Sequence, residues 1–277
     1  MSTPPPPPST APSPAPAPRA TPPVPAKPAP PPPPPRSGPI ADRGVVRHDA
    51  VHTVRWTVDG TAKVIAETDA GTLEARGTVV VGGPLTADSG RVTGSLDVGG
   101  AVEVASTLVV DGHLRARSPV HAGDLELKGT ARCAGDVRVD RTVSVRGTLT
   151  VPNLRGTDVD LEGATHIRGD VEATRVEARF EQDSEIGRIL ARSVRLRGRV
   201  PSLVDKAFFR HAIVTVDRIE ADRVELEAVT VLFVRAPEIV LGREASVAEV
   251  EGKIVRRHPS SHLGPESKSP PPYGLRR

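Results

Sequence analysis

The chain has 277 residues, a formal net charge of +3 and an aromatic content of only 2%, although 37% of its residues are hydrophobic. Most of this apolar content is Val, Leu, Ala and Ile, which suit a narrow core of many thin layers better than the broad core of an ordinary globular domain. The single cysteine, Cys133, excludes an intramolecular disulfide, and no cluster of His and Cys has zinc-like spacing.

The chain begins with a proline-rich segment. Residues 1–39 hold 20 of the 30 prolines and almost nothing that could pack, which predicts a disordered, extended tail of polyproline type. Its first twenty residues contain no hydrophobic run, and no later stretch approaches the roughly 18 apolar residues that cross a bilayer. We therefore expect a soluble protein of the cytoplasm.

Residues 40–70 have the pattern of strands joined by irregular turns. Its apolar side chains include Trp56, Val58, Val64 and Ile65. The pattern predicts an N-terminal cap or the first coil of the structure that follows.

Residues 71–200 contain an internal repeat of six residues. Glycines recur in this register, as at Gly77 and Gly83 and again at Gly94 and Gly100. Within each unit the third and fifth positions are apolar and the fourth is usually polar, which is typical of a short strand with one buried face. The inward pairs that this alternation predicts include Leu96 with Val98, Val102 with Val104, Leu108 with Val110, Leu114 with Ala116, Ala131 with Cys133 and Val143 with Val145.

Strands this short are not stable alone and must stack on one another. Three six-residue units make a coil of about 18 residues, and successive coils hydrogen-bond at a spacing of roughly 4.8 Å. The sequence therefore predicts an all-β fold, a single-stranded parallel β-helix of triangular cross-section with three short strands per coil, between disordered tails.

The repeat loosens after this main solenoid. Residues 201–213 have helical apolar spacing and are predicted to form a short helix or loop insertion. Strand patterns resume over residues 214–255 as C-terminal coils, and residues 256–277 combine basic residues with prolines in a second predicted disordered tail.

An enzymatic function is disfavoured by the sequence. Hexapeptide-type acyltransferases also use a six-residue β-solenoid, but their chemistry needs a histidine base between subunits. His113, His121 and His166 fall at outward or turn positions without a partner set, and the acidic residues alternate with basic ones along outward faces as a solvated charge ladder. We assign no catalytic, cofactor-binding or metal-binding residue and expect a protein that is not an enzyme.

The units GSLDVG, GAVEVA, GDLELK and GDVRVD, flanked by a proline-rich tail and a basic tail, resemble those of the bactofilins, a family of polymer-forming cytoskeletal proteins. The stretch from Asp217 to Gly242 is similar to the C-terminal repeats of longer members. The resemblance implies nucleotide-independent filaments that form by head-to-head and tail-to-tail contact of β-helices, with the tails recruiting partners. The core here is longer than the compact bactofilin domain, and no short hydrophobic membrane-targeting peptide is visible at Met1.

The ends of such a solenoid are the predicted sites of self-assembly. An uncapped end exposes unpaired backbone groups over an open apolar core, and another copy of the same end can satisfy them. The side chains that we predict to seal this joint are Trp56 and Val58 near one end and Phe233, Val240 and Leu241 near the other.

The basic residues of the two tails form the second predicted interaction site. They are Arg19, Lys27, Arg36, Arg256, Arg257, Lys268, Arg276 and Arg277. We expect them to recruit protein partners, with an acidic membrane surface as a further candidate. Nucleic acid is disfavoured because no aromatic residues are interleaved for stacking on bases.

The sequence thus predicts a cytoskeletal scaffold that assembles end to end. The alternative is an adaptor or binding solenoid that does not polymerise, and a hexapeptide-type acyltransferase ranks below both.

Overall fold

The computed structural model describes residues 35–199 and 213–264, which form a parallel β-solenoid of about 12 turns. Sixteen strands of these residues belong to one sheet, and each turn pairs with the turns before and after it. The predicted all-β solenoid is confirmed. The predicted disorder of residues 1–34 and 265–277 lies outside the described residues.

The strands follow one another along the chain with short corners between them. They are β1 (Ile40–His48), β2 (Val51–Val64), β3 (Thr68–Val81), β4 (Leu85–Val98), β5 (Val102–Ala116), β6 (Val120–Cys133), β7 (Val137–Val139), β8 (Thr142–Val151), β9 (Leu154–Arg155), β10 (Asp158–Glu172), β11 (Arg175–Phe180), β12 (Ser184–Gly198), β13 (Val214–Glu227), β14 (Thr230–Leu241), β15 (Ser246–Arg257) and β16 (His262–Leu263).

Most of these strands bend around a whole turn, so each one contributes to three faces. In β4 the first face buries Leu85 and Ala87, the second Gly90 and Val92, and the third Leu96 and Val98. Alternate residues point inward on every face because successive side chains of a strand lie on opposite sides. All the inward pairs predicted from the alternation between Leu96 and Val145 are buried, which confirms them.

The turn length changes along the solenoid. Leu85 pairs with Val102, 17 positions later, whereas Thr215 pairs with Thr230, only 15 positions later. Between β12 and β13, Val194 pairs with Val224, a step of 30 positions, so this turn contains additional residues. The predicted insertion at residues 201–213 falls here, but of those residues the structure describes only Ile213.

Glycines occupy one corner in eight successive turns. They are Gly44, Gly60, Gly77, Gly94, Gly112, Gly129, Gly147 and Gly163. Each pairs with the next one along the solenoid axis, and all have a positive φ. The six-residue register of the sequence therefore places neighbouring glycines at different corners, and the glycine that stacks on a given one lies a full turn away.

Residues 40–70 belong to the first turns of the solenoid. β1 and β2 pair in continuous register, from Ile40 with Trp56 to His48 with Val64. At the other end, β15 runs through Arg257 and β16 pairs with it, so residues 256–264 belong to the solenoid. The tail boundary predicted at residue 256 is therefore too early, because basic residues also occupy the last coil.

Candidate functional site

The N-terminal coil forms one end of the column, and one of its interior positions carries a charged residue. Among the described residues, β1 pairs along its length with β2 alone, which leaves its other edge open. Asp42 occupies the interior position above Val58 and is only 9% exposed. Its Oδ2 accepts hydrogen bonds from Nε1 of Trp56 at 2.8 Å and from Nε2 of His48 at 2.7 Å. The His48 ring also packs edge-on against Trp56.

Arg36 fastens the segment before β1 to the outside of the column. Its guanidinium contacts Asp69 at 2.9 Å and Asp88 at 2.7 Å, two carboxylates from later turns. The hydrogen bond from Arg36 lowers the pKa of Asp88 below its ordinary value. Ser37, the next residue, pairs with Thr53 and begins the first face of the solenoid.

The C-terminal coil forms the other end, and it also places a charge at a position that faces inward in the preceding turns. Arg257 pairs with the buried Leu241 and so lies on the inward side of β15. Its Nε donates to Oγ of Ser261 at 3.3 Å, and its Nη2 donates to the carbonyl oxygen of Ser261 at 3.1 Å. Arg257 itself is exposed, whereas Ser261 is 2% exposed, so the guanidinium is anchored to a buried residue of the last turn.

The large hydrophobic side chains that are exposed lie toward the two ends of the described column. Val45, in β1, is 87% exposed, and Val255, in β15, is 58% exposed. The other large hydrophobic residues that are exposed lie in the second turn or the last three: they are Val54, Ile65 and Leu232. Because middle turns cover one another, exposed apolar surface at the ends is what a further layer could bury.

The fold and the two ends do not identify a relative. No family model, curated protein or solved structure matches the chain. In the part of the chain that the structure describes, no helix has the length and hydropathy to cross a membrane. The same residues contain no group of three or more His, Cys, Asp or Glu side chains that could hold a metal ion.

The five residues predicted to seal a joint all lie one coil inside an end. Trp56 and Val58 are fully buried under β1, and Leu241 is buried beneath Arg257. Val240 points outward beside Arg256. Phe233 is half-buried on the outer surface, where its ring stacks with the Arg218 guanidinium at 4.6 Å. These residues support the terminal coils, and the coils themselves present other side chains.

The tail residues divide between the column and the segments that are not described. Arg36 is bound by two carboxylates, and Arg256 and Arg257 belong to β15. They are therefore not free charges of a tail. Arg19, Lys27, Lys268, Arg276 and Arg277 lie outside the described residues, and their predicted role stays a prediction.

The sides of the column carry ion pairs between successive turns. Arg188 lies 2.6 Å from Asp170, and Arg195 lies 2.7 Å from Glu225. The hydrogen bonds from these arginines lower the pKa of both carboxyl groups. Exposed pairs of this kind contribute little stability one by one, and they leave a solvated, mutually compensated surface, as the predicted charge ladder has it.

The histidines considered for catalysis and the single cysteine lie where the alternation predicts. His113 and His121 are exposed, His166 is half-exposed, and Nε2 of His121 contacts Asp140 at 3.1 Å. Cys133 is buried, and its burial raises the pKa of the thiol to about 12.

Asp42, His48 and Ser261 were missed by the sequence analysis, and Arg257 was assigned to a tail rather than to the last coil. A signal for Asp42 was present, since Ile40 and Asp42 stand 16 positions before Trp56 and Val58, in phase with an inward pair. This spacing did not mark Asp42 as inward, because inward positions were predicted from pairs of aliphatic residues and Asp42 carries a carboxylate.

Proposed function

We propose that this protein is a structural scaffold whose copies stack end to end through their terminal coils into a filament. The observation that carries the proposal is that the large hydrophobic side chains exposed in the described column lie toward its two ends, Val45 and Val255 being the most exposed. An added parallel strand would hydrogen-bond to the backbone groups on the open edge of β1 and would also cover this apolar surface.

The resemblance to bactofilins supports a more detailed version of the proposal. In that version the filament is cytoskeletal and cytoplasmic, it forms without nucleotide, and the tails at residues 1–34 and 265–277 recruit protein partners. The lateral faces, which are covered by ion pairs such as Arg188–Asp170, support stacking along the axis over stacking side by side.

A second candidate is a solitary adaptor solenoid. The observation that favours it is one charged residue in each terminal coil, Asp42 or Arg257, at a register position where the middle turns place aliphatic residues. A charge over an open core protects an isolated end from indiscriminate association.

Sedimentation velocity and negative-stain microscopy of the purified chain without nucleotide test the proposal. A filament is expected above a critical concentration, with an axial repeat of roughly 60 Å, since about 12 turns are stacked at roughly 4.8 Å each. Monomers at every concentration would favour the adaptor.

A chain without residues 1–34 and 265–277 tests the role of the tails. It is expected to keep the filament and to lose binding of partners recovered with the full chain. Loss of the filament in this variant would assign assembly to the tails.

A further inference from the structure

The register of the sheet connects the two polar end residues. Pairing places one interior residue of every turn in a single column along the axis. Its members are, in order along the axis, Asp42, Val58, Ala75, Val92, Val110, Leu127, Val145, Leu161, Ala178, Leu196, Leu226, Leu241 and Arg257. All the members between the two ends are buried and aliphatic, and the two ends carry opposite charges.

From this column we infer that the filament has a direction. The C-terminal coil of one copy docks on the N-terminal coil of the next, with Arg257 against Asp42. The inference rests on the proposed end-to-end assembly and adds its direction and its recognition pair. It departs from the head-to-head and tail-to-tail contact that the bactofilin resemblance implies.

Asp42 can accept the incoming arginine without losing its present partners. Both of its hydrogen bonds go to Oδ2, and Oδ1 accepts none from the described residues. A guanidinium has five N–H donors, and the two bonds from Arg257 to Ser261 use Nε and Nη2, which leaves N–H groups for a carboxylate. Charge-assisted hydrogen bonds between such groups are the strong ones.

The reach of the side chains fits the spacing of the turns. In a continued solenoid the next turn lies roughly 4.8 Å away, which an arginine side chain can span. A neighbouring interior column would also continue across the joint, since Ile254 ends it in one copy and Ile40 begins it in the next. Leu263 ends the third face and Ser37 begins the first, so the turns of two copies continue in phase.

Contact between like ends lacks this complementarity. A joint of two N-terminal coils would bring two Asp42 carboxylates into the interface, and a joint of two C-terminal coils would do the same with two Arg257 guanidinium groups. A buried charge is tolerated only when it is paired, and like charges brought together suppress the wrong contact. The same two residues that protect an isolated end therefore select the opposite end as its partner. A heterologous joint of this kind does not close and produces a filament.

Single charge reversals in the full chain separate the two directions of assembly. A filament in which all copies point the same way has only one kind of joint. Asp42→Arg and Arg257→Asp are therefore each expected to leave monomers, with the critical concentration for assembly raised at least roughly 30-fold. The double variant, which exchanges the two charges, is expected to assemble again. Arg256→Asp, the same change on the outward side of the same strand, is the control and is expected to assemble like the unmodified chain.

Sedimentation velocity distinguishes the outcomes. Dimers in either single variant would overturn the inference and leave the proposed function standing, because like-end assembly retains its other joint. Monomers of the unmodified chain at all concentrations would overturn the proposed function itself. Asp42→Arg also removes the acceptor of Trp56, so Trp56 fluorescence checks its fold. Arg257→Asp, which does not touch that bond, tests the inference independently.

Discussion

The carbonyl oxygen of Gly94 lies 2.1 Å from the position that a Cβ on Gly112 would occupy. The two residues pair on successive turns, and Gly112 has a φ of 137°, a conformation that residues with a side chain rarely adopt. The corner thus brings two backbones together at a distance that only glycine permits.

Gly112→Ala is expected to destabilise the middle turns by at least about 1–3 kcal/mol from the backbone conformation alone. Urea unfolding followed by far-ultraviolet circular dichroism measures the change. Gly90→Ala is the matched control, since its Cβ would meet only a side-chain methyl group, Cδ1 of Leu108, at 3.0 Å, and no backbone atom. Equal losses in the two variants would show that close packing of the corner is not required.

Asp42→Leu is expected to destabilise the N-terminal coil by about 1–3 kcal/mol, because it leaves Nε1 of the buried Trp56 without an acceptor. Trp56 is the single tryptophan, so its fluorescence reports unfolding of this end. Asp42→Asn keeps an acceptor oxygen and should lose less. Asp59→Leu, on the exposed side of β2, is the control, and a loss there as large as in Asp42→Leu would contradict the prediction.

Cys133 is expected to resist thiol reagents at pH 8 while the chain is folded. Burial raises its pKa from the ordinary 9.0 to about 12, which lowers the thiolate fraction by roughly 1,000-fold, and the sulfur is also inaccessible. The stability that the neutral thiol contributes is present below pH 9 and is lost as the pH rises toward 12. Labelling with a chromogenic disulfide should follow the urea transition; rapid labelling without urea would refute this.

Arg36→Ala is expected to loosen the start of the first face. The amide of Ser37 donates to His52 and that of Val54 donates to Ser37, and both amides should exchange hydrogen faster without the anchor. The change in global stability should stay below about 1 kcal/mol, because the ion pairs are partly exposed.

The pH dependence of this anchor follows from Asp88. Its pKa is lowered by the bond from Arg36, so the contribution is complete above the ordinary value of 3.8 and is lost as the pH falls below it. Arg43→Ala, at an exposed arginine of β1, is the control and should leave both amides protected. Exchange that is unchanged in Arg36→Ala would show that β1 is held without the anchor.

The sequence alone determined the fold class and most of the core. Alternation of side chains is a local property of strands, so Leu96, Val98 and Cys133 could be placed inside, and the outward histidines outside, without knowledge of their neighbours. Composition also predicted the narrow interior, because so few aromatic side chains had to be accommodated.

The tertiary structure decided which residues stack and which coils are last. Turn lengths range from 15 to 19 positions outside the long step at β13, and these differences accumulate, so stacking partners could not be read from a fixed period. The inward register of two charged residues in the terminal coils was missed for a further reason. Asp42 and Arg257 stand where middle turns place aliphatic residues, so the alternation of aliphatic pairs gave no sign of them. Only the pairing of backbones shows that these two charges share one interior column.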